Sequence, residues 1–242
     1  MHPSSAIRGR PLSIRARLLL LVLAVLVPAA SFAAVLLVRY AAAERVDQQE
    51  DARVLANRAS AAIDRELVGL MAALEALATS PALQEGGDLA AFDAQARALL
   101  RTRGTFVAMR DRIGRQIVNT ALPFGSPLPT STDPVLLATD RAVFETGRTS
   151  VSDIYSGAAT KRLLVLVAAP VRRAGEVAYS LNIALEPVRL AEVLAAVAPP
   201  DWTVAIVDRN DRVVARSRGH ERLVGSEATA DLRERTRESG GT

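Results

Sequence analysis

The sequence predicts an α+β chain: an apolar N-terminal helix, a long amphipathic helix, then an antiparallel sheet and the opening of a second one. Three observations lead there. Leu18–Val38 carries no charged residue over 21 positions, about 31 Å of helix, which matches a hydrocarbon core of roughly 30 Å. Ile63, Leu67, Leu70, Leu74 and Leu77 recur at spacings of 4, 3, 4 and 3, one apolar stripe of a helix. Beyond residue 104 the pattern changes to short strand-like runs divided by turn residues.

The apolar run reads as a retained anchor. A secretory h-region is usually about 7–15 residues long, and Val35-Leu36-Leu37-Val38 continues past the small-residue cleavage signal at Ser31-Phe32-Ala33. Pro28 is tolerated in a membrane helix where neighbours re-satisfy the freed carbonyl. Arg8, Arg10, Arg15 and Arg17 precede the run without an acidic residue among them, so the N-terminal side is expected in the cytoplasm. The expected location is a bacterial inner membrane, crossed once, with residues 1–17 cytoplasmic, 18–38 in the lipid bilayer and the chain from about 40 onward periplasmic. Those four arginines account for the whole formal charge of +4. With no basic stripe interleaved with aromatics, nucleic-acid binding is excluded. Zero cysteines excludes disulfides and thiolate metal sites.

Residues 40–79 read as one long helix, closed by Thr79-Ser80-Pro81. Its stripe lasts only about two heptads, short of a sustained coiled coil. Packing against the domain's own sheet is favoured, with homodimer contact nearer the membrane as an addition. Asp88 caps a short helix through about Arg101. Thr105–Met109 and Arg115–Asn119 form a hairpin around Asp111-Arg112-Ile113-Gly114. Residues 121–134 hold four prolines, a long loop of the kind that usually carries function. Asp133 or Pro134 opens a helix through about Thr146, closed by Gly147. Strands are predicted at Thr149–Tyr155, Arg162–Val171 and Glu176–Leu185, the last two around the turn Arg172-Arg173-Ala174-Gly175. The continuously apolar Leu163–Val167 suits a central strand covered on both faces.

Glu186–Ala198 is helical again and Pro199-Pro200 stops it. Trp202–Val207 and Arg212–Arg216 then repeat the first hairpin, with Val107–Arg115 set beside Ala205–Val213. The predicted domains are therefore 40–198, a complete lobe, and 199–242, a second lobe that begins and does not finish. An unpaired half-sheet exposes strand edges, so the chain reads as part of a longer protein.

This layout resembles the double Cache, or tandem PAS-like, extracytoplasmic sensor of bacterial transmembrane receptors. The similarity is carried by the anchor 18–38, the helix 44–79, the strand pair Leu163–Val171 and Glu176–Leu185, and the segment Pro200–Asp208 with Leu223-Val224-Gly225 after it. The resemblance implies a ligand-sensing input that transmits to a cytoplasmic output through the tilt or rotation of helix 44–79. The Arg- and Ala-rich chain is most similar to sensor histidine kinases, the HWE type included. A diguanylate cyclase or methyl-accepting chemotaxis output is the alternative, and a stand-alone anchored interaction protein a third. ATP and Mg would belong only to a kinase output domain, so no cofactor is expected in this chain.

No catalytic motif occurs, and the chain itself is expected to have no enzymatic activity. His220, followed by Glu221, imitates a phosphoacceptor pair, but Gly219 and Gly225 argue for a loop there. In the resembling sensors the ligand lies against the sheet of the membrane-distal lobe. Candidate lining residues are Arg110, Asn119, Tyr155, Lys161, Arg162, Tyr179 and Asn182. Lys161 and Arg162 follow the small-residue turn Ser156–Thr160, and cations meeting a phenol there suit a small carboxylate. The family's amino-acid motif, Arg followed at +2 and +3 by Trp and Tyr, is missing, which favours an organic acid.

Overall fold

The computed structural model describes residues 14–100 and 105–238. Residues 1–13 of the expected cytoplasmic tail lie outside them, as do the side chains of several positions in 18–38 and of all from 40 to 49. Helix α1 runs without a break from Ile14 to Ala78, joining what the sequence reading treated as an anchor and a separate amphipathic helix. Among the described residues no helix is long and apolar enough to cross a membrane. The chain divides into a helical unit ending at Val54 and a folded body from Leu55.

Within the body, Ser80-Pro81-Ala82-Leu83 makes a 3-10 turn, and α2 (Leu89–Leu99) starts where the Asp88 carboxylate accepts from Ala90 N–H at 2.8 Å. Strands β1 (Thr105–Arg110) and β2 (Gln116–Asn119) form the first hairpin. Helix α3 (Pro134–Thr146) is bounded as its sequence signals require. Asp133 caps Val135 and Leu136, Pro134 stands in the first turn, and Gly147 takes the left-handed conformation at the end, φ 62°. The predicted strand 149–155 is two short pieces, β3 (Ser150–Val151) and β4 (Tyr155–Ser156). Ser152 N–H still donates to Leu166 O at 2.9 Å, but the return bond from Leu166 N–H goes to the Ser152 hydroxyl at 3.0 Å, which itself donates to Asp153 O at 2.7 Å, and Asp153-Ile154 loops out beyond it. Strands β5 (Leu163–Arg173) and β6 (Glu176–Leu185) meet at a two-residue turn. There Ala174 and Gly175 both have positive φ, 49° and 87°, the mirror-image turn that matches strand twist.

The sheet order is β2-β1-β6-β5-β3, all antiparallel, with β4 also on β5. This is a PAS-like sheet. Its two faces follow the period of two. Val107, Met109, Val165, Val167, Leu181 and Ile183 share one buried cluster with Leu70, Leu74 and Leu77 of α1 and Phe92 of α2. Ile63 and Leu67 pack half-buried against the same cluster, so the five-residue stripe of α1 lies against its own domain. The opposite face carries Leu164, Leu166, Ala168 and Ala184 beneath Leu136, Val143 and Phe144 of α3.

Helix α4 (Pro187–Val197) leads to a second hairpin, β7 (Ala205–Val207) and β8 (Val213–Arg216). The repeat reproduces the backbone hydrogen bonds of the turn, and it corrects the sequence alignment by one residue. Asp111 Oδ1 accepts from the N–H groups of Ile113 and Arg115, and Asp208 Oδ1 from those of Asn210 and Arg212. Val107 N–H donates to Thr120 Oγ1 at 2.8 Å, and Val204 N–H to Ser217 Oγ at 3.0 Å. Isolated bridges join Arg115 to Thr130 and Arg212 to Glu227. Thus Val107 corresponds to Val204, not Ala205. Apolar runs look alike when slipped by one, whereas the carboxylate-capped turn has only one register. His220 opens a one-turn helix, α5 (His220–Leu223), where a loop was expected, because Gly219 at φ 62° starts it. Helix α6 (Ala230–Glu238) follows β8 along the chain as α3 follows β2.

Candidate functional site

The smaller core on the α3 face leaves a cavity between the sheet, the N-terminus of α3 and the turn Ser156–Thr160. Strand alternation sends Phe106, Ala108 and Arg110 of β1 to this side, and Asn182 and Ala184 of β6 beside them. Ala108 lies opposite Asn182 and Arg110 opposite Ser180. Gln116 and Asn119 enter from β2, Ser131 and Asp133 from the proline-rich loop, and Tyr155 from β4. The 156–160 turn closes over them because Gly157 has no side chain: a Cβ there would lie 2.5 Å from Leu164 Cδ1.

Of the seven residues chosen from the sequence, Arg110, Asn119, Tyr155 and Asn182 line this cavity. The other three do not, and this corrects the reading. Lys161 is exposed, at the end of the turn with φ 56°. Arg162 is exposed and pairs with Glu186 at 2.5 Å. Tyr179 has the opposite strand parity to Asn182, so it packs on the α1 side, where its hydroxyl accepts from Arg173 Nη1 at 3.2 Å. The sequence reading missed the partner that fixes Arg110. The Asp140 carboxylate accepts from Arg110 Nε at 2.5 Å and Nη2 at 3.1 Å, and from Ser180 Oγ at 2.7 Å. Both side chains of the pair are almost wholly buried. A signal existed: Asp140 stands on the same stripe of α3 as Leu136 and Val143.

The cavity holds one buried polar atom without a partner, beside an arginine nitrogen not engaged by Asp140. Arg110 Nη1 takes no part in the Asp140 pair. Asn182 is 1 % exposed; its amide N–H₂ donates to Ser180 O at 3.0 Å and Ala108 O at 3.4 Å. Those two carbonyls fix the amide orientation, and Asn182 Oδ1 is then buried without a partner. An unmade hydrogen bond of that kind costs about 1–3 kcal/mol. Burial pushes the Tyr155 phenol well above its ordinary value, an effect that Arg110 opposes and Asp133 and Asp140 reinforce. Tyr155 is thus a neutral donor throughout the physiological range.

The cavity volume is about 30 Å³, room for roughly two waters, since one needs about 10–15 Å³. Ligand sites usually run to about 300–1,000 Å³. The cavity is therefore smaller than an ordinary ligand site, with the 156–160 turn forming part of its wall. Among the described residues no cluster of His, Asp or Glu is arranged to hold a metal ion.

No protein-family model matches the chain, and no curated protein does. Solved structures do. The ligand-binding domain of the Pseudomonas aeruginosa PAO1 amino acid chemoreceptor PctC, in complex with GABA, matches at 19 % identity over 70 % of this chain and 75 % of its own, TM-score 0.53. The ligand-binding domain of the Pseudomonas fluorescens chemoreceptor CtaA with L-serine matches at 18 % identity over 70 % and 71 %, TM-score 0.55. That of the Campylobacter jejuni chemoreceptor Tlp3 with L-valine matches at 14 % over 76 % of each chain, TM-score 0.57. At such identities the likeness is one of fold: this chain has the PAS-like, Cache-type fold of those domains.

Proposed function

We propose that the chain is the extracytoplasmic ligand-sensing input of a bacterial signalling receptor, and that this cavity takes a small amino acid. The observation that carries this reading is the buried, unpartnered Asn182 Oδ1, an acceptor that a ligand N–H can satisfy. The Asp133 carboxylate at the same cavity favours that donor being an ammonium. Arg110 Nη1 and the Tyr155 hydroxyl supply donors for a carboxylate. The organic-acid preference drawn from the missing Arg, Trp and Tyr motif is set aside for this cavity, whose own groups pair a donor set with a carboxylate and an amide oxygen, and the carboxylate-binding role of Lys161 and Arg162 passes to Arg110 and Tyr155. The amino-acid complexes of the neighbouring folds support the same ligand class for this chain.

The output also shifts. The sequence reading favoured a histidine kinase, but the fold's neighbours are chemoreceptor domains, which supports the chemotaxis alternative. The chain itself binds and transmits, without chemistry of its own. Anchoring in the inner membrane with the body in the periplasm rests on the run 18–38 and its arginine flank. Leu18, Leu21, Leu26 and Phe32 are each at least 60 % exposed on α1, which fits a surface meant for lipid. Homodimerisation through the membrane-proximal part of α1 completes the proposal.

Calorimetric titration of the full chain with L-valine, L-serine, GABA and succinate tests it. At least one amino acid binds, succinate does not, and Asn182→Leu abolishes the heat. Binding of succinate alone, or unchanged amino-acid binding by Asn182→Leu, overturns the ligand assignment.

A further inference from the structure

The two hairpin turns share their backbone hydrogen bonds but differ in what else they hold. In the first lobe the second carboxylate oxygen of Asp111 accepts from Arg115 Nε at 3.0 Å, within the turn itself. In the second lobe the arginine at that position, Arg212, turns away to Gly225 O. Asp208 Oδ2 is left to accept from Ile154 N–H at 3.3 Å. The next two residues complete the contact. Arg209 donates from its backbone N–H to Asp153 Oδ1 at 3.2 Å and from Nη1 to the same oxygen at 3.3 Å. Asn210 Nδ2 donates to Asp153 Oδ2 at 3.2 Å, where the first lobe has the apolar Ile113, 79 % exposed. Both oxygens of Asp153 and the adjacent amide are therefore held by one turn of the other lobe.

The segment so held leads directly into the cavity. Asp153 and Ile154 loop out between β3 and β4. Ile154, 1 % exposed, is anchored in the main core, and Tyr155 turns to the opposite face to line the cavity, followed by the closing turn 156–160. A ligand that displaces the 156–160 turn pulls on the segment Asp153–Tyr155, which is attached to the main core through Ile154 and to the second hairpin through Asp153 and the Ile154 N–H.

We infer that the Asp208–Asn210 turn is a joint that reads occupancy of the distal cavity through Asp153 and passes it to β7–β8. This rests on the ligand-cavity reading above. Such a joint transmits only the difference in its strength between the open and closed turn; coupling of this kind typically amounts to about 5- to 150-fold in an equilibrium constant.

Hydrogen exchange on the full chain tests it in two arms. Without ligand, Asp153→Ala and, separately, Asn210→Ala speed exchange of the β7–β8 amides by roughly 5-fold or more. Ile113→Ala, the matching change in the first turn, leaves them as they were. Asn210 is exposed, so its variant folds even if Asp153→Ala does not. No acceleration in Asn210→Ala overturns the inference. With L-valine as probe and calorimetry as an independent measure of binding, the ligand slows exchange in β7–β8 of the wild type but not of Asn210→Ala. Calorimetric binding without that protection overturns the joint and leaves the ligand reading intact. Absence of calorimetric binding counts against the valine-type ligand, and the ligand-free arm then decides the joint alone.

Discussion

Replacing Asp140 by alanine is expected to be among the most destabilising single changes in the body of the chain. Arg110 would keep its charge in a site 2 % exposed, with neither Nε nor Nη2 satisfied, and Ser180 Oγ would lose its acceptor. Removing one member of a buried ion pair costs about 3–5 kcal/mol, because the remaining charge is uncompensated. For a body of this size each kcal/mol lowers Tm by roughly 2–4 °C, so the expected fall is roughly 6–20 °C. Removing both charges, as Arg110→Met with Asp140→Leu, should recover most of the loss, since an apolar pair of similar volume needs no partner. Urea unfolding at constant m, or a thermal melt, measures all three chains. A loss below about 1 kcal/mol in Asp140→Ala, typical of solvent-exposed pairs, refutes the reasoning. So does a double variant as unstable as the single one, because the penalty would then not be the orphaned charge.

Two further outcomes follow from burial. Leu74→Ala, at a position 0 % exposed, costs about 2–5 kcal/mol. By contrast Val68→Ala, on the 61 % exposed face of the same helix, stays within about 0.5 kcal/mol; equal effects in denaturant melts would mean that α1 does not cover the sheet. Burial also pushes the His220 imidazole below its ordinary value of 6.5, with Glu221 opposing. The folded chain thus binds that proton more weakly than the unfolded one, so the stabilisation is complete above about 6.5 and is lost as pH falls through the lowered value. His220→Gln should flatten the decline in stability as pH falls below about 6.5; an unchanged slope would place His220 in open solvent.

The architecture was legible because periodicity, caps and turns act locally. Asp133, Pro134 and Gly147 bound α3 in the structure where they bound it in the sequence. The strand parity that separates Asn182 from Tyr179 was equally present, and choosing both as cavity residues ignored it. The one-residue slip in the repeat has a different cause: the apolar residues of Val107–Met109 and Val204–Ile206 tolerate either register. Only the hydrogen bonds of Asp111 and Asp208 distinguish them.

By itself the sequence determined the long helix, the hairpins and the second, repeated opening, since each depends on residues near one another along the chain, whereas the pairing of β1 with β6 joins residues 105–110 to 180–185. It also put Arg110, Asn119, Tyr155 and Asn182 on elements that converge. Tertiary structure alone decided that Asp140, on a helix 30 residues away, closes the Arg110 pair, that Lys161 and Arg162 face solvent, and that Asp153 belongs to the second hairpin as much as to the first lobe. Those are facts about which distant groups meet after packing. Electrostatic neutralisation and an unpartnered amide oxygen exist only once that meeting has occurred.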